Sequence, residues 1–122
     1  MSIEDTAARL FAAIEAGDIG AVRELYAPEI VVWHNSDGKE QGRDANVAVL
    51  QWCVTHIEGM RYEDVRRRVF EGGFVQQHTL RGRTRAGVEL TVPGCLVVQV
   101  EADRITRIDE YLDSAHMQAL LG

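Results

Sequence analysis

The sequence predicts an α+β fold in which three helices from the first half of the chain pack against a cone-like, curved, antiparallel (mixed) sheet. Apolar residues recur at helical spacing in the first half. From residue 62 onward, alternating apolar and polar segments are separated by turn residues such as Gly72-Gly73. Helices followed by antiparallel strands form two layers. A sheet that curves over helices leaves an internal pocket with an open mouth, where a small ligand can bind.

Length and charge limit the possible partners. The chain of 122 residues is long enough for one core, and we expect a single domain over residues 1–122. The net charge of −6 argues against a nucleic-acid partner, which would require a basic surface. No apolar stretch approaches the roughly 20 residues that span a bilayer, so we expect no membrane partner. The acidic start of the chain lacks the features of a signal peptide, which favours a cytoplasmic location.

The sequence contains no recognisable cofactor or metal motif. Cys53 and Cys95 lack metal-binding or redox spacing and are interpreted as reduced thiols. The four histidines are scattered, and neither a phosphate loop nor a dinucleotide fingerprint is present. We therefore expect no cofactor and no metal.

The first two helices have recognisable ends. Ser2 and Asp5 form a capping-box pattern before a run of helically spaced apolar residues, and Gly17 ends this helix. Asp18 can cap the second helix, which is predicted over residues 19–26 and is ended by the following proline.

The middle of the chain predicts a strand over residues 30–34, a polar loop over 35–42 and a third helix over 44–58. Four strands then follow, over residues 62–70, 74–81, 88–100 and 104–112. The third of these is too long for an unbroken flat strand, so Pro93-Gly94 predicts a bulge or bend. Residues 116–121 are predicted to form a short terminal helix.

The last strand places an acidic residue in an unusual position. Because side chains alternate along a strand, Ile108, Glu110 and Leu112 share one face, which their apolar members predict to point inward. An inward carboxylate is costly unless it is paired, neutral or used in chemistry. Glu110 is therefore a candidate acid or base.

Four short motifs carry a family resemblance. They are Ala16-Gly17-Asp18, Leu25-Tyr26-Ala27-Pro28-Glu29, Gly42-Arg43-Asp44 and Glu110-Tyr111-Leu112-Asp113. In this order and spacing the chain resembles the nuclear transport factor 2-like superfamily, in its polyketide-cyclase-like (SnoaL-like) group, which is similar to ketosteroid isomerases and limonene epoxide hydrolases. The resemblance covers nearly the whole chain and implies the cone-like fold and a homodimer. It does not imply one activity, because this fold carries many.

The resemblance assigns roles to two positions. His34 falls where the isomerases have their catalytic aspartate and the epoxide hydrolases a pocket asparagine. Glu110 falls where the hydrolases and cyclases have a pocket aspartate. The isomerases' two oxyanion donors fall near Leu10 and Leu96, which cannot replace them. The hydrolases' arginine–aspartate pair falls on residues 74–81, which contain no carboxylate. Neither steroid isomerisation nor epoxide hydrolysis by those residue sets is expected.

We predict His34 and Glu110 as the catalytic residues. His34 follows Ile30 and Val32 on their side of the strand, and a neutral imidazole can exchange a proton near pH 7. Glu110 can orient His34 or act as the base itself. The alternatives are a strand-end histidine bonded to the loop and a structural salt bridge.

The strand at residues 74–81 supplies further candidates. Phe74, Gln76, His78 and Leu80 share one face, which the apolar pair predicts to point inward, although the opposite face is hardly more polar. The predicted substrate-binding residues are Gln76, His78, Trp52, Tyr26, Phe74, Leu96 and Leu112.

The outer sheet face is predicted to carry Trp33, Val75, Val97 and Tyr111, and a half-apolar sheet face is often covered by a second copy of the chain. We expect a homodimer whose pocket binds a small apolar organic ligand. One hypothesis is a cofactor-independent enzyme that isomerises, cyclises, dehydrates or hydrates its substrate, with His78 or Gln76 binding the substrate oxygen. The others are a non-catalytic ligand-binding module of the same fold and a structural dimer with a filled cavity.

Overall fold

The structure of the protein is a computed structural model that describes residues 1–121. Its elements are α1 (Ile3–Ala16), α2 (Ile19–Leu25), β1 (Tyr26–His34), β2 (Glu40–Gln41), α3 (Arg43–His56), β3 (Ile57–Phe70), β4 (Gly73–Thr84), β5 (Glu89–Glu101), β6 (Arg104–Leu112), a 3₁₀ helix (Ser114–Met117) and α4 (Gln118–Leu121). The predicted α+β class is confirmed: three helices lie in the first half of the chain, and four long consecutive strands follow them.

The six strands form one open, mixed sheet in the order β2-β1-β6-β5-β4-β3. Neighbouring strands are antiparallel except β1 and β6, which are parallel. The first and last long strands of the chain are therefore direct neighbours in the sheet.

Local chemistry explains the start and end of α1. The Ser2 hydroxyl accepts a hydrogen bond from the Asp5 backbone N–H, and the Asp5 carboxylate accepts one from the Ser2 backbone N–H. Gly17 adopts φ 70°, a left-handed conformation that costs glycine little, and its N–H bonds the carbonyls of the last helical turn. The Asp18 side chain caps α2 by accepting from the Ala21 N–H.

The second helix is shorter than predicted, and β1 is longer. Tyr26 is already extended and pairs with Ile105, so α2 ends at Leu25 and Pro28 lies inside β1. Proline is tolerated there because the pairing of β1 with β6 is irregular between Tyr26 and Val31, where no ladder hydrogen bond is required of it.

The remaining boundaries also differ in places. Two residues predicted at the end of the third helix, Ile57 and Glu58, begin β3 and pair with β4. Of the bulge or bend predicted at Pro93-Gly94, the bulge is wrong, because both residues stay in register with β4. The irregularity in β5 lies instead between Gln99 and Val100, in the pairing with β6.

The core lies between α1 and the inner face of the sheet. Leu10, Phe74, Val98 and Ile105 are among its most deeply buried side chains. Further partly buried apolar residues of α3 close the layer over β1 and β3. Among the described residues, no helix is long and apolar enough to cross a membrane.

Candidate functional site

A cavity of about 270 Å³ lies between the helices and the inner face of the sheet. Its wall is mostly apolar and includes Leu10 from α1, Leu50 from α3, and Val92 from β5. Polar side chains also reach it: His34, Glu110, His78, Tyr26, Tyr62 and Asn46. An apolar hollow with a few converging polar groups is the usual form of a small-molecule site.

A broader depression of about 680 Å³ lies on the outer face of the sheet. Its lining includes Gln77, Thr79, Cys95 and Tyr111. It is shallow and open to solvent, and His78 belongs to its lining as well, but neither His34 nor Glu110 does. The inner cavity is therefore the better candidate for a ligand site, although it is the smaller of the two.

His34 and Glu110 meet at the end of the parallel strand pair. They are register partners on β1 and β6, one step beyond the pair Trp33 and Asp109. Nε2 of His34 lies 2.9 Å from Oε1 of Glu110, and the side chains are 17% and 28% exposed. Both residues line the cavity, as the alternation of the two strands predicts.

A local hydrogen-bond bridge holds this end of the sheet together. The Asn35 backbone N–H donates to the carbonyl of Glu110 at 3.0 Å, and the Asn35 side-chain oxygen accepts from the Leu112 N–H at 2.9 Å. The chain thus continues the pairing of β1 and β6 by one residue beyond His34. This bridge limits the relative movement of the two catalytic candidates.

The carboxylate controls the protonation of the imidazole. Hydrogen bonding to Glu110 raises the pKa of His34 above its ordinary value, whereas burial of the ring acts in the opposite direction. His34 is therefore more basic than a free histidine and stays close to its counter-ion.

His78 is the second imidazole at the cavity. It is 7% exposed, and its ring makes edge contacts with Phe11 and Tyr62, with centroids 6.0 and 4.7 Å away. Burial lowers the pKa of His78, and the charge of Glu110 opposes this shift. The pKa values of His34 and His78 are thus shifted in opposite directions.

The structure places three of the other predicted binding residues at the cavity and three away from it. Tyr26, Leu96 and Leu112 line the cavity. Trp52 does not, because it lies on the outer side of α3, 41% exposed, and stacks on His56.

The alternation of side chains along β4 decides which face of the sheet carries Phe74 and Gln76. Both point inward, as predicted, but they are completely buried near the Gly73 end of β4 and do not line the cavity. Phe74 packs 6.3 Å from the Phe11 ring. Gln76 lies between Arg67 and the ring of His78.

Sequence reasoning missed a polar chain that joins the predicted binding residue Tyr26 to α3 and β2. The Tyr26 hydroxyl donates to Oδ1 of the buried Asn46 at 2.8 Å, and the Asn46 amide donates to Gln41 at 3.0 Å. Burial, aided by the charge of Glu110, raises the pKa of Tyr26, so the hydroxyl remains protonated. The inward position of Asn46 could have been predicted from its spacing of four residues from Leu50, because such residues share one face of a helix.

Tyr62 was missed for a different reason. It lines the cavity, but its inward direction depends on where β3 begins and on an irregular register between Glu58 and Arg61. Burial, together with the charge of Glu110, raises the pKa of the Tyr62 hydroxyl. This hydroxyl therefore remains neutral at any ordinary pH.

Within residues 1–121, no three side chains of histidine, cysteine, aspartate or glutamate are grouped so that they could hold a metal ion. The polar groups that reach the cavity can exchange protons and form hydrogen bonds.

Comparisons with known proteins agree with this architecture. The family model of the SnoaL-like domain matches residues 7–108. A search of curated proteins gave no match.

Several solved structures share the fold. Wild-type IdmH from Streptomyces antibioticus, a candidate polyketide cyclase, is 23% identical with a TM-score of 0.83, covering 100% of this chain and 99% of its own. A candidate polyketide cyclase from Xanthomonas campestris pv. campestris is 18% identical with a TM-score of 0.84, covering 98% and 96%. A hypothetical protein from Catenulispora acidiphila with a ketosteroid isomerase-like fold, solved with trimethylamine, is 14% identical with a TM-score of 0.82, covering 98% and 93%.

Proposed function

Because the chain belongs to the SnoaL-like domain family, we propose that it is a cofactor-independent enzyme that transfers a proton at a carbon next to a carbonyl group of a small, mostly apolar substrate. Isomerisation, aldol-type cyclisation, dehydration and hydration all begin or end with such a step. The polyketide cyclase names of IdmH and the Xanthomonas protein support a carbonyl-rich substrate.

The observation that carries the proposal is the pair formed by His34 and Glu110 at the cavity wall, 2.9 Å apart. A base with an orienting carboxylate recurs across enzymes of unrelated fold. Here the base is only partly exposed and faces a mostly apolar hollow, where a charged intermediate gains more from its counter-ion than it does in water.

The proposed step follows from the proton positions. When the Nε2 proton of His34 points to Glu110, the lone pair lies on Nδ1, which has no hydrogen-bond partner within residues 1–121. Nδ1 removes the proton from the substrate carbon. The electron pair of that C–H bond forms a carbon–carbon double bond while the π pair of the carbonyl group moves to its oxygen, which gives an enolate. Glu110 stabilises the imidazolium that forms.

The enolate oxygen requires a hydrogen-bond donor. His78 lies at the same cavity, and its low pKa keeps it neutral near pH 7. A neutral imidazole N–H is a suitable donor for an enolate oxygen. Return of the proton from His34 to another carbon completes an isomerisation. In a dehydration, the enolate electron pair expels a hydroxyl group on the neighbouring carbon, and this group takes the proton from His34 and leaves as water.

Hydrogen–deuterium exchange tests the step without knowledge of the natural substrate. α-Tetralone and cyclohexanone would be incubated with the protein in deuterated buffer, and deuterium at the carbon next to the carbonyl would be followed by NMR. We expect exchange faster than in buffer alone. A protein that binds these ketones but exchanges them no faster than buffer would overturn the enzyme proposal.

A non-catalytic ligand-binding module is the second candidate. The mostly apolar wall favours it, since such a wall can hold a ligand without any chemistry. Ketone binding that is seen as NMR line broadening, without exchange and without any effect of removing His34, would support this candidate. A purely structural role with a filled cavity is disfavoured by the open volume of about 270 Å³.

We also propose that the chain forms a homodimer through the outer sheet face. Trp33 and Tyr111 form an edge-to-face pair there, with ring centroids 5.3 Å apart, and Tyr111 is 45% exposed. Trp33 is partly buried beneath this contact, and a large exposed aromatic side chain such as Tyr111 on a sheet face is typical of a surface that a second copy covers.

A further inference from the structure

A line of side chains connects the first helix with the cavity. Arg67 of β3 forms an ion pair with Glu4 of α1. Its Nε donates to Oε1 of Gln76 at 2.9 Å, and the Gln76 amide nitrogen lies 2.9 Å from Nδ1 of His78. The Arg67 guanidinium also lies over the ring of Phe11, at 5.6 Å from its centroid.

The direction of each hydrogen bond in this line follows from chemistry. A guanidinium has only donors, so the group of Gln76 that faces Arg67 must be the amide oxygen. The NH₂ group of Gln76 then faces His78, and it too can only donate. Nδ1 of His78 must accept, so it carries no proton, and the proton of the neutral ring is on Nε2.

The alternative tautomer would bring two N–H donors face to face at a completely buried amide. Loss of a buried hydrogen bond shifts such an equilibrium by about tenfold or more. Gln76 is fully buried, so water cannot compensate for the lost bond. The arrangement thus selects one tautomer of His78.

The selected proton is available to a ligand. Nε2 of His78 has no protein partner among residues 1–121, and in that part of the chain Nε of Arg43 is the only fully buried side-chain nitrogen or oxygen without one. Nε2 therefore keeps contact with open space, and His78 lines the cavity. The ring lies beside Gly94, where a Cβ atom would come within 3.2 Å of Nε2.

We propose that Gln76 and Arg67 are positioning residues that hold His78 in the neutral tautomer protonated on Nε2, so that the cavity presents a fixed hydrogen-bond donor to a carbonyl or enolate oxygen. This inference rests on the proposed function for its purpose, but the tautomer itself does not depend on activity. The ionisable groups that face His78 are Glu110 from β6, Tyr62 from β3 and, through Gln76, Arg67; α1 contributes the uncharged Phe11.

Nitrogen NMR tests the tautomer directly. In protein labelled with ¹⁵N-histidine, at a pH where His78 is neutral, the two-bond correlations distinguish a protonated Nε2 from a protonated Nδ1. The His78 signals are identified by their loss in His78→Gln. We expect Nε2 protonated and Nδ1 unprotonated. A pattern averaged between both tautomers, or a protonated Nδ1, would overturn the inference.

Substitution of Gln76 provides a second test. In Gln76→Glu the side chain facing His78 can only accept, so Nδ1 should gain a proton. The matched control is Gln77→Glu, which adds the same charge on the exposed, opposite face of β4 and should leave the His78 pattern unchanged. An unchanged pattern in a folded Gln76→Glu protein would contradict the inference, and the wild-type spectrum decides the question if this variant does not fold.

The two proposals fail separately. A locked tautomer in a protein that never exchanges ketone hydrogens would contradict the enzyme proposal and leave the positioning role intact. Ketone exchange in a protein whose His78 samples both tautomers would support the enzyme proposal and contradict the positioning role. Wild type should bind α-tetralone more tightly than tetralin, which lacks the oxygen. In Gln76→Leu the ratio of these two affinities should fall by about tenfold, because the donor is no longer fixed.

Discussion

Glu110 lies directly opposite His34 on the parallel strands β6 and β1, and the register of these strands leaves 2.9 Å between the carboxylate oxygen and the imidazole nitrogen. Parallel partners of the same phase point to the same face of a sheet. The contact is therefore built into the strand register, and flexible loop residues are not needed to form it. This makes the pair a well-defined target for substitution.

Removal of either member should slow proton transfer strongly without unfolding the protein. We expect His34→Ala and Glu110→Gln each to lower the rate of α-tetralone exchange by about 10²-fold or more, because the base or its counter-ion is lost. His116→Ala is the control, since His116 is exposed and lies outside the cavity. Full activity in both cavity variants would contradict the assigned roles.

Stability should depend on pH through the same pair. The pKa of His34 is raised in the folded protein, so the folded state binds its proton more tightly than the unfolded state does. The resulting stabilisation is complete below about pH 6.5 and is lost as the pH rises through the folded pKa. Urea unfolding should show the advantage of wild type over His34→Gln shrinking across that range.

A comparison with Glu110→Gln checks the cause of this dependence. The pKa of His78 is lowered in the folded protein, so its contribution to stability changes with pH in the opposite direction from that of His34. His78 is present in every protein compared, and its contribution largely cancels. The stability difference between Glu110→Gln and the double variant Glu110→Gln, His34→Gln is then measured against pH. If it had the same pH slope as the difference between wild type and His34→Gln, the carboxylate would not be responsible.

The thiol of Cys53 should react slowly. Burial, aided by the charge of Glu110, raises the pKa of Cys53 to about 11. At pH 8 its thiolate fraction, and hence its alkylation by iodoacetamide, should be about a hundredfold below that of an ordinary thiol. Mass spectrometry of a Cys95→Ser protein measures the rate. Equal rates for folded and urea-unfolded protein would refute the expectation.

Gly73 should tolerate no side chain. A Cβ atom there would collide with the carbonyl of Val98 on β5 and with the ring of Phe70. We expect Gly73→Ala to lower the free energy of unfolding by about 1–3 kcal/mol or more. Gly20→Ala is the matched control: Gly20 lies in α2, where a Cβ atom would meet Oδ1 of Asp18 at an ordinary contact distance of 3.7 Å. Alanine should stabilise that helix by roughly 0.5–1 kcal/mol.

The proposed dimer can be tested at Tyr111. Light scattering after size exclusion should give twice the mass of the chain for wild type and the mass of a single chain for Tyr111→Asp, because a charge would have to be buried in the contact. Val88→Asp, an exposed apolar position at a hairpin outside the proposed contact, should remain dimeric. A monomeric wild type would refute the proposed dimer.

Local signals explain which features could be predicted. The capping residues Ser2 and Asp18 act within three residues of their partners, so the starts of α1 and α2 are visible in the sequence. The alternation of side chains along β6 likewise predicts that Glu110 faces inward. Such features depend only on the chain near them.

The missed features depend on contacts between distant segments. Tyr26 joins β1 because it pairs with Ile105, and no local pattern records that pairing. The burial of Gln76 behind His78 depends on the register of β4 with β3 and on the position of α1 above both. Strand phase therefore predicted that Gln76 points inward, but not that protein groups occupy both ends of its amide.

The parallel pairing of β1 with β6 also has a kinetic consequence. The short strand β2, the helix α3 and the three long strands β3, β4 and β5 separate the two members of the pair along the chain. Closing that contact is therefore entropically slow compared with forming α1 or the β4–β5 hairpin. An assay of ketone exchange during refolding would therefore detect the arrival of β6 beside β1, whereas circular dichroism would respond earlier, to the helices.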